Sequence, residues 1–134
     1  MVCKSRSLLV AILLLAGALF LFATSNGAWM AKVPPRDHDK INPYRDQPEA
    51  IAAGRRVFLE HCAQCHGKNA EGTKKRPSLR TARVQQEATE GDLHWLLENG
   101  SMRYGMPSWS QLGDAQIWQV ITYVRSLHQA PAKR

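Results

Sequence analysis

From Leu8 to Ala23 every residue is apolar, sixteen in a row, and no charge appears from Ser7 through Ala31. Lys4 and Arg6 precede the run. A secretory signal carries an apolar core of about 7–15 residues, whereas a spanning helix needs roughly 20. Residues 1–31 therefore read as an N-terminal membrane anchor or a signal peptide. Trp29 suits a membrane interface and extends the stretch over residues 8–30, which favours an uncleaved anchor. Ala23-Thr24-Ser25 and Ser25-Asn26-Gly27 offer small residues for cleavage and keep the signal peptide open. In both cases the basic end stays inside and the remainder lies across the membrane.

The pattern then changes twice. Residues 32–47 carry Pro34-Pro35, alternating charge and Asn42-Pro43, and read as an extended, proline-stiffened linker. Beyond it the apolar positions take helical spacing. Pro48 suits a first helical position with Glu49 beside it, and Ile51, Gly54, Val57, Phe58 and Cys62 follow on one side. Thr89 caps a second helix, Glu90 to Asn99, stopped by Gly100, with Leu93, Leu96 and Leu97 as its apolar face and Trp95 nearby. His94 on that helix reads as a surface residue. A third helix from about Asp114 to Gln129 places Ile117, Val120, Ile121, Val124 and Leu127 on one face, with Trp118 beside them. Residues 48–130 are expected to form one compact domain, because about a hundred residues are too few for two.

Charge narrows the partners. The formal net charge is +7, and Lys74, Lys75, Arg76, Arg80 and Arg83 fall within ten residues. Such a run is a solvated loop or a positive rim that steers an acidic partner. No recognition motif accompanies it, so nucleic acid is not an expected partner.

The chemistry is concentrated in Cys62-Ala63-Gln64-Cys65-His66. C-x-x-C-H is the attachment pattern of c-type haem: two thiols on one helical turn each form a thioether, and the next imidazole meets the iron. A zinc site would need further thiol or imidazole ligands, and the remaining cysteine, Cys3, precedes the apolar run. A redox dithiol would sit near a βαβ pattern, which is not visible. Forty residues beyond His66, Gly105-Met106-Pro107 supplies a methionine in a loop held by Gly and Pro. Its thioether is the expected second axial ligand. Met102 is the rival, and His38 and His61 are not expected to bind iron.

These pieces together resemble a small bacterial class I cytochrome c over about Glu49 to Gln129. The matching segments are Ala53-Gly54 with Val57-Phe58, the CAQCHG run, Arg76-Pro77-Ser78-Leu79, Gly105-Met106-Pro107-Ser108-Trp109, and the final helix with Tyr123. The resemblance implies an all-α fold of about three main helices around one covalently attached haem. It also implies electron transfer between Fe(II) and Fe(III), with bacterial attachment of the haem on the periplasmic side of the inner membrane. A glycine at position 54 lets the first and last helices cross, with Tyr123 packed onto it. Pro77 is expected to accept the His66 ring N–H on its carbonyl. Pro77, Leu79, Trp95 and Arg103 are expected around the cofactor, Trp95 as packing and Arg103, with Tyr104, as a propionate or distal-loop contact. Many relatives have Gly-Pro where this chain has Arg76-Pro77, which leaves the shape of that loop open.

The leading function is a one-electron carrier, or a haem subunit of a respiratory complex, not itself an enzyme. Its redox partner would dock through the Lys74–Arg83 region. The alternative is a gas sensor or weak peroxidase whose sixth iron position opens. A subunit with a chiefly structural haem is a third.

Overall fold

A computed structural model describes residues 28–128. Residues 1–27 of the expected anchor or signal peptide (1–31) and the end of the predicted domain at residues 129 and 130 lie outside these. Among the described residues no helix is long and apolar enough to cross a membrane. The contacts divide the chain after Lys32. The first unit is described only by a single 3-10 turn, Met30–Lys32.

The unit from Val33 onward is built from helices α1 (Pro35–His38), α2 (Pro48–His61), α3 (Ala63–His66), α4 (Glu90–Asn99) and α5 (Asp114–Ser126). A π turn spans Arg83–Glu87, and 3-10 turns span Met102–Tyr104 and Ser110–Leu112. Extended pairing among the described residues is a lone antiparallel bridge, Ser101 with Met106. The fold is all-α, as the periodicity and the resemblance implied.

Helix α2 starts where proline can sit without losing a helical bond, Pro48, with Glu49 in its first turn. It buries Ala50, Gly54, Val57 and Phe58, one stripe at helical spacing. That stripe packs mainly against α5, whose buried residues run from Ile117 through Val124, Gln119 excepted. The helices cross at Gly54, where a side chain would overlap the Gln119 carbonyl and crowd Tyr123. The Phe58 and Tyr123 rings meet with centroids 5.2 Å apart. Helix α4 is fixed by a reciprocal cap: the Asp92 N–H donates to Thr89 Oγ1 at 3.1 Å, and the Thr89 N–H donates to Asp92 Oδ2 at 2.8 Å.

Two expectations fail in this frame. Residues 33–47 are not an extended linker. Pro35 opens the short helix α1, and the segment is bound to α4 and α5 by buried polar contacts. Asn42, 3% exposed, donates to Glu90 Oε1 at 3.2 Å and to Thr122 Oγ1 at 2.9 Å. Arg45 Nε donates to Glu90 Oε2 at 2.7 Å, and His38 Nδ1 lies 2.8 Å from Asp92 Oδ1. The polar residues that made the segment look solvated are matched by carboxylates on α4. The last helix also stops early, at Ser126, with Leu127 as its cap.

Candidate haem site

Helix α2 runs directly into the C-x-x-C-H turn. The Cys62 N–H still donates to Phe58 O at 2.8 Å, and the N–H groups of Cys65 and His66 both reach Cys62 O, at 3.1 and 3.0 Å. Cys62, Cys65 and His66 therefore lie on one turn. Cys62 is half-buried and packs against the core of α2 and α5, while Cys65 is exposed. Burial, with a smaller push from Cys65, raises the Cys62 thiol to about 11. A thiol-disulfide catalyst needs the opposite, a depressed thiol.

After His66 the chain turns back on itself. Gly67 adopts a φ of 82° and buried Ala70 a φ of 58°. The Gly72 N–H donates to His66 O at 2.7 Å and the Leu79 N–H to Ala70 O at 3.0 Å. The returning strand of chain brings Pro77 beside the imidazole, whose Nδ1 lies 3.0 Å from the proline carbonyl oxygen. Only a protonated Nδ1 can bond to that oxygen, so the Nε2 lone pair is left for a metal.

The second loop begins where Gly100 ends α4. The Ser101 N–H donates to Met106 O at 2.7 Å and the Met106 N–H to Ser101 O at 3.2 Å, closing a small ring of chain. Gly105 stands at the left-handed position of this ring, with φ 71° and ψ 24°. The closure separates the two methionines: Met102 is 73% exposed, whereas Met106 is half-buried. The loop's exit is pinned to α4 by the Trp109 N–H on Leu97 O at 2.8 Å.

The other expected residues fall as follows. Leu79 is half-buried against the core, Trp95 is half-buried on α4, and Arg103 is exposed, 5.9 Å from the Tyr104 ring centre. His38 is bonded to Asp92, and the His61 ring centre lies 5.4 Å from that of Trp109. His94 is not at the surface. It is 1% exposed, lies against Trp118 with ring centres 4.1 Å apart, and puts Nε2 2.7 Å from Asp114 Oδ1. The carboxylate at the start of α5 lets an imidazole enter the α4–α5 contact. Within the basic run, Arg80 donates to Asn69 O, Arg83 to Glu87, and Arg76 to Tyr104 O. Lys74 and Lys75 are exposed.

The donors fit haem c. They comprise two free thiols on one turn, an imidazole with one nitrogen already committed, and a thioether in a closed loop. Half-buried Leu79, Val84, Leu97 and Leu112 pack, like Cys62, against the core cluster and are apolar surface that a porphyrin could cover. A zinc reading does not fit. The convergent trio of metal-ligating side chains among the described residues is His94, Glu98 and Asp114, which includes neither cysteine.

A c-type cytochrome, an electron-transfer protein that uses haem c, is the class this fold and donor set define. The comparisons with known proteins agree. The chain belongs to the family described as cytochrome c oxidase, cbb3-type, subunit III, whose model matches residues 49–124. It is 31% identical over 83 residues to the cbb3-type oxidase subunit FixP of Rhizobium meliloti (strain 1021), covering 60% of this chain and 29% of that protein. Cytochrome c550 of Pseudomonas aeruginosa is 30% identical over 93 residues, 64% of this chain and 61% of its own. Cytochrome CL of Methylophaga aminisulfidivorans superposes with a TM-score of 0.53 at 30% identity, covering 63% of this chain and 57% of that one. The chain thus spans under a third of the FixP subunit's length.

Proposed function

We propose that this chain carries a single haem c and passes electrons one at a time between a donor and a respiratory oxidase of the cbb3 type, without itself turning over a substrate. When bound, haem c supplies a one-electron Fe(II)/Fe(III) couple. Cys62 and Cys65 would tether it through thioethers, and His66 Nε2 and the Met106 sulfur would be the iron ligands. A thioether ligand favours the reduced metal relative to a second nitrogen. Leu79 and Trp95 would keep water from its apolar surface, and Arg103 would pair with a propionate or with the Met106 loop.

The observation that carries this reading is the 3.0 Å contact between His66 Nδ1 and Pro77 O. It fixes the tautomer and aim of the imidazole before any cofactor arrives, and a pre-set axial ligand keeps reorganisation small on electron transfer. A sensor or peroxidase reading needs a distal base beside an open iron position. Two of the described imidazoles outside the haem motif are already engaged, His38 with Asp92 and His94 with Asp114.

Lys74 and Lys75 extend the positive charge of the loop that supports His66, which suits docking against an acidic partner surface. The apolar run behind Lys4 and Arg6 suits anchoring on the periplasmic side of the inner membrane, with the soluble periplasm as its destination if the run is cleaved. Stopped-flow oxidation of the reduced holoprotein by membranes containing a cbb3-type oxidase tests the proposal. Rapid oxidation that slows as salt rises supports it. Oxidation no faster than with oxidase-free membranes refutes it.

A further inference from the structure

The loop that supports His66 and the loop that presents Met106 are joined, among the described residues, by one hydrogen bond. The Arg76 guanidinium donates through Nη1 to the carbonyl oxygen of Tyr104. The same guanidinium lies over Gly105, where a Cβ would stand 2.7 Å from Nη2 and 2.8 Å from Nη1. Position 105 is bare because its φ of 71° is costly for a side chain, and the bare backbone leaves room for the Arg76 guanidinium. Arg76 is itself held by a tight turn. The Thr73 N–H donates to Arg76 O at 2.9 Å, and the Arg76 N–H donates to Thr73 Oγ1 at 3.2 Å. Consecutive residues therefore serve the two ligand segments. Pro77 bonds the His66 ring, and Arg76 bonds the backbone two residues before Met106.

We propose that Arg76 is a positioning residue that latches the Met106 loop closed and so keeps the sixth iron position occupied. The inference rests on Met106 being that ligand. The rest of the loop is anchored at its base, by the Ser101–Met106 pair, the Trp109 N–H on Leu97 O and the Ser108 hydroxyl on Glu98 O. Its tip, Met102 to Gly105, is exposed. An exposed tip held by short-range bonds opens readily. A charge-assisted bond from the Arg76 guanidinium opposes that opening. Losing a hydrogen bond to a charged group raises the population of the open form about tenfold. A residue that served only to attract a partner would leave ligand exchange at the iron untouched.

Imidazole titration of the ferric holoprotein, followed by absorbance, tests the latch. Wild type should show the weak red band of a sulfur-ligated ferric haem and resist imidazole. R76L should keep that band yet bind imidazole about tenfold more tightly, with R76K partly restoring resistance. Should R76L fail to mature, R76M, which also lacks a donor, carries the same expectation. In an M106A background the Arg76 substitution should add nothing. The latch is overturned if R76L binds imidazole as wild type does, or if its effect persists without Met106. A wild type that lacks the red band and binds imidazole as freely as M106A removes the assignment of Met106 as well, a result that cannot be confused with the other two.

Discussion

A methyl group on Gly54 would fall onto the carbonyl of Gln119, because the backbones of α2 and α5 meet at that point with no side chain between them. The clash is with backbone, so rotamer changes cannot relieve it, and the two helices that carry the core must separate. Overpacking costs about 1–3 kcal/mol, occasionally more. At about 4–8 °C per kcal/mol for a domain of this size, G54A should melt roughly 5–25 °C below wild type as holoprotein. Thermal unfolding followed by far-UV circular dichroism checks this. An unchanged midpoint would mean that the crossing does not hold the fold together.

The two methionines give a sharper test of the loop. If Met106 is the proposed iron ligand, M106A should lose the red band and show a clearly lower reduction potential, as a sulfur ligand would be replaced. M102A should change neither by a measurable amount, because that side chain is exposed. Equal effects of the two substitutions would contradict the way the Ser101–Met106 closure separates them.

His94 and Asp114 predict an ordering of stabilities. H94A empties a fully buried site against Trp118 and should cost about 2–4 kcal/mol. D114A removes only the carboxylate partner, at an exposed helix start where water can substitute, and should cost about 1 kcal/mol. Urea unfolding of the two variants checks the order, and the reverse order would return His94 to the surface.

The N-terminal segment makes a pH prediction. The hydrogen bond to Asp92, reinforced by its charge, raises the pKa of His38 above the ordinary value of 6.5. A raised folded-state value stabilises the protein fully below the unfolded value of 6.5 and is lost as pH rises through the folded value. The melting temperature of wild type should therefore exceed that of H38A at pH 5 and converge on it by pH 9. A gap that stays constant, or widens toward alkaline pH, would show that the His38–Asp92 pair does not clasp the segment to α4.

The helices and the haem motif were legible because each depends on residues a turn apart. Apolar spacing gave α2, α4 and the start of α5, and Gly54 with Tyr123 marked the crossing. The family pattern also indicated Pro77 as the partner of His66. Contacts between distant polar residues stayed hidden. Asn42 looked like turn residue beside Pro43, yet its partner Thr122 is eighty positions away. His94 looked exposed because the carboxylate that admits it to the interior belongs to another helix. Arg76 read as one more charge in a basic run, because its partner, the Tyr104 carbonyl, lies twenty-eight positions away. The Arg83–Glu87 turn left no periodic trace at all.

The central claim is that Cys62 and Cys65 hold a porphyrin covalently. Intact-mass measurement of the exported, matured chain under denaturing conditions tests it most directly. The account predicts a mass above that of the polypeptide by one haem, with C62S/C65S returning to the bare polypeptide mass. A matured wild-type chain that weighs no more than its amino acids would contradict it.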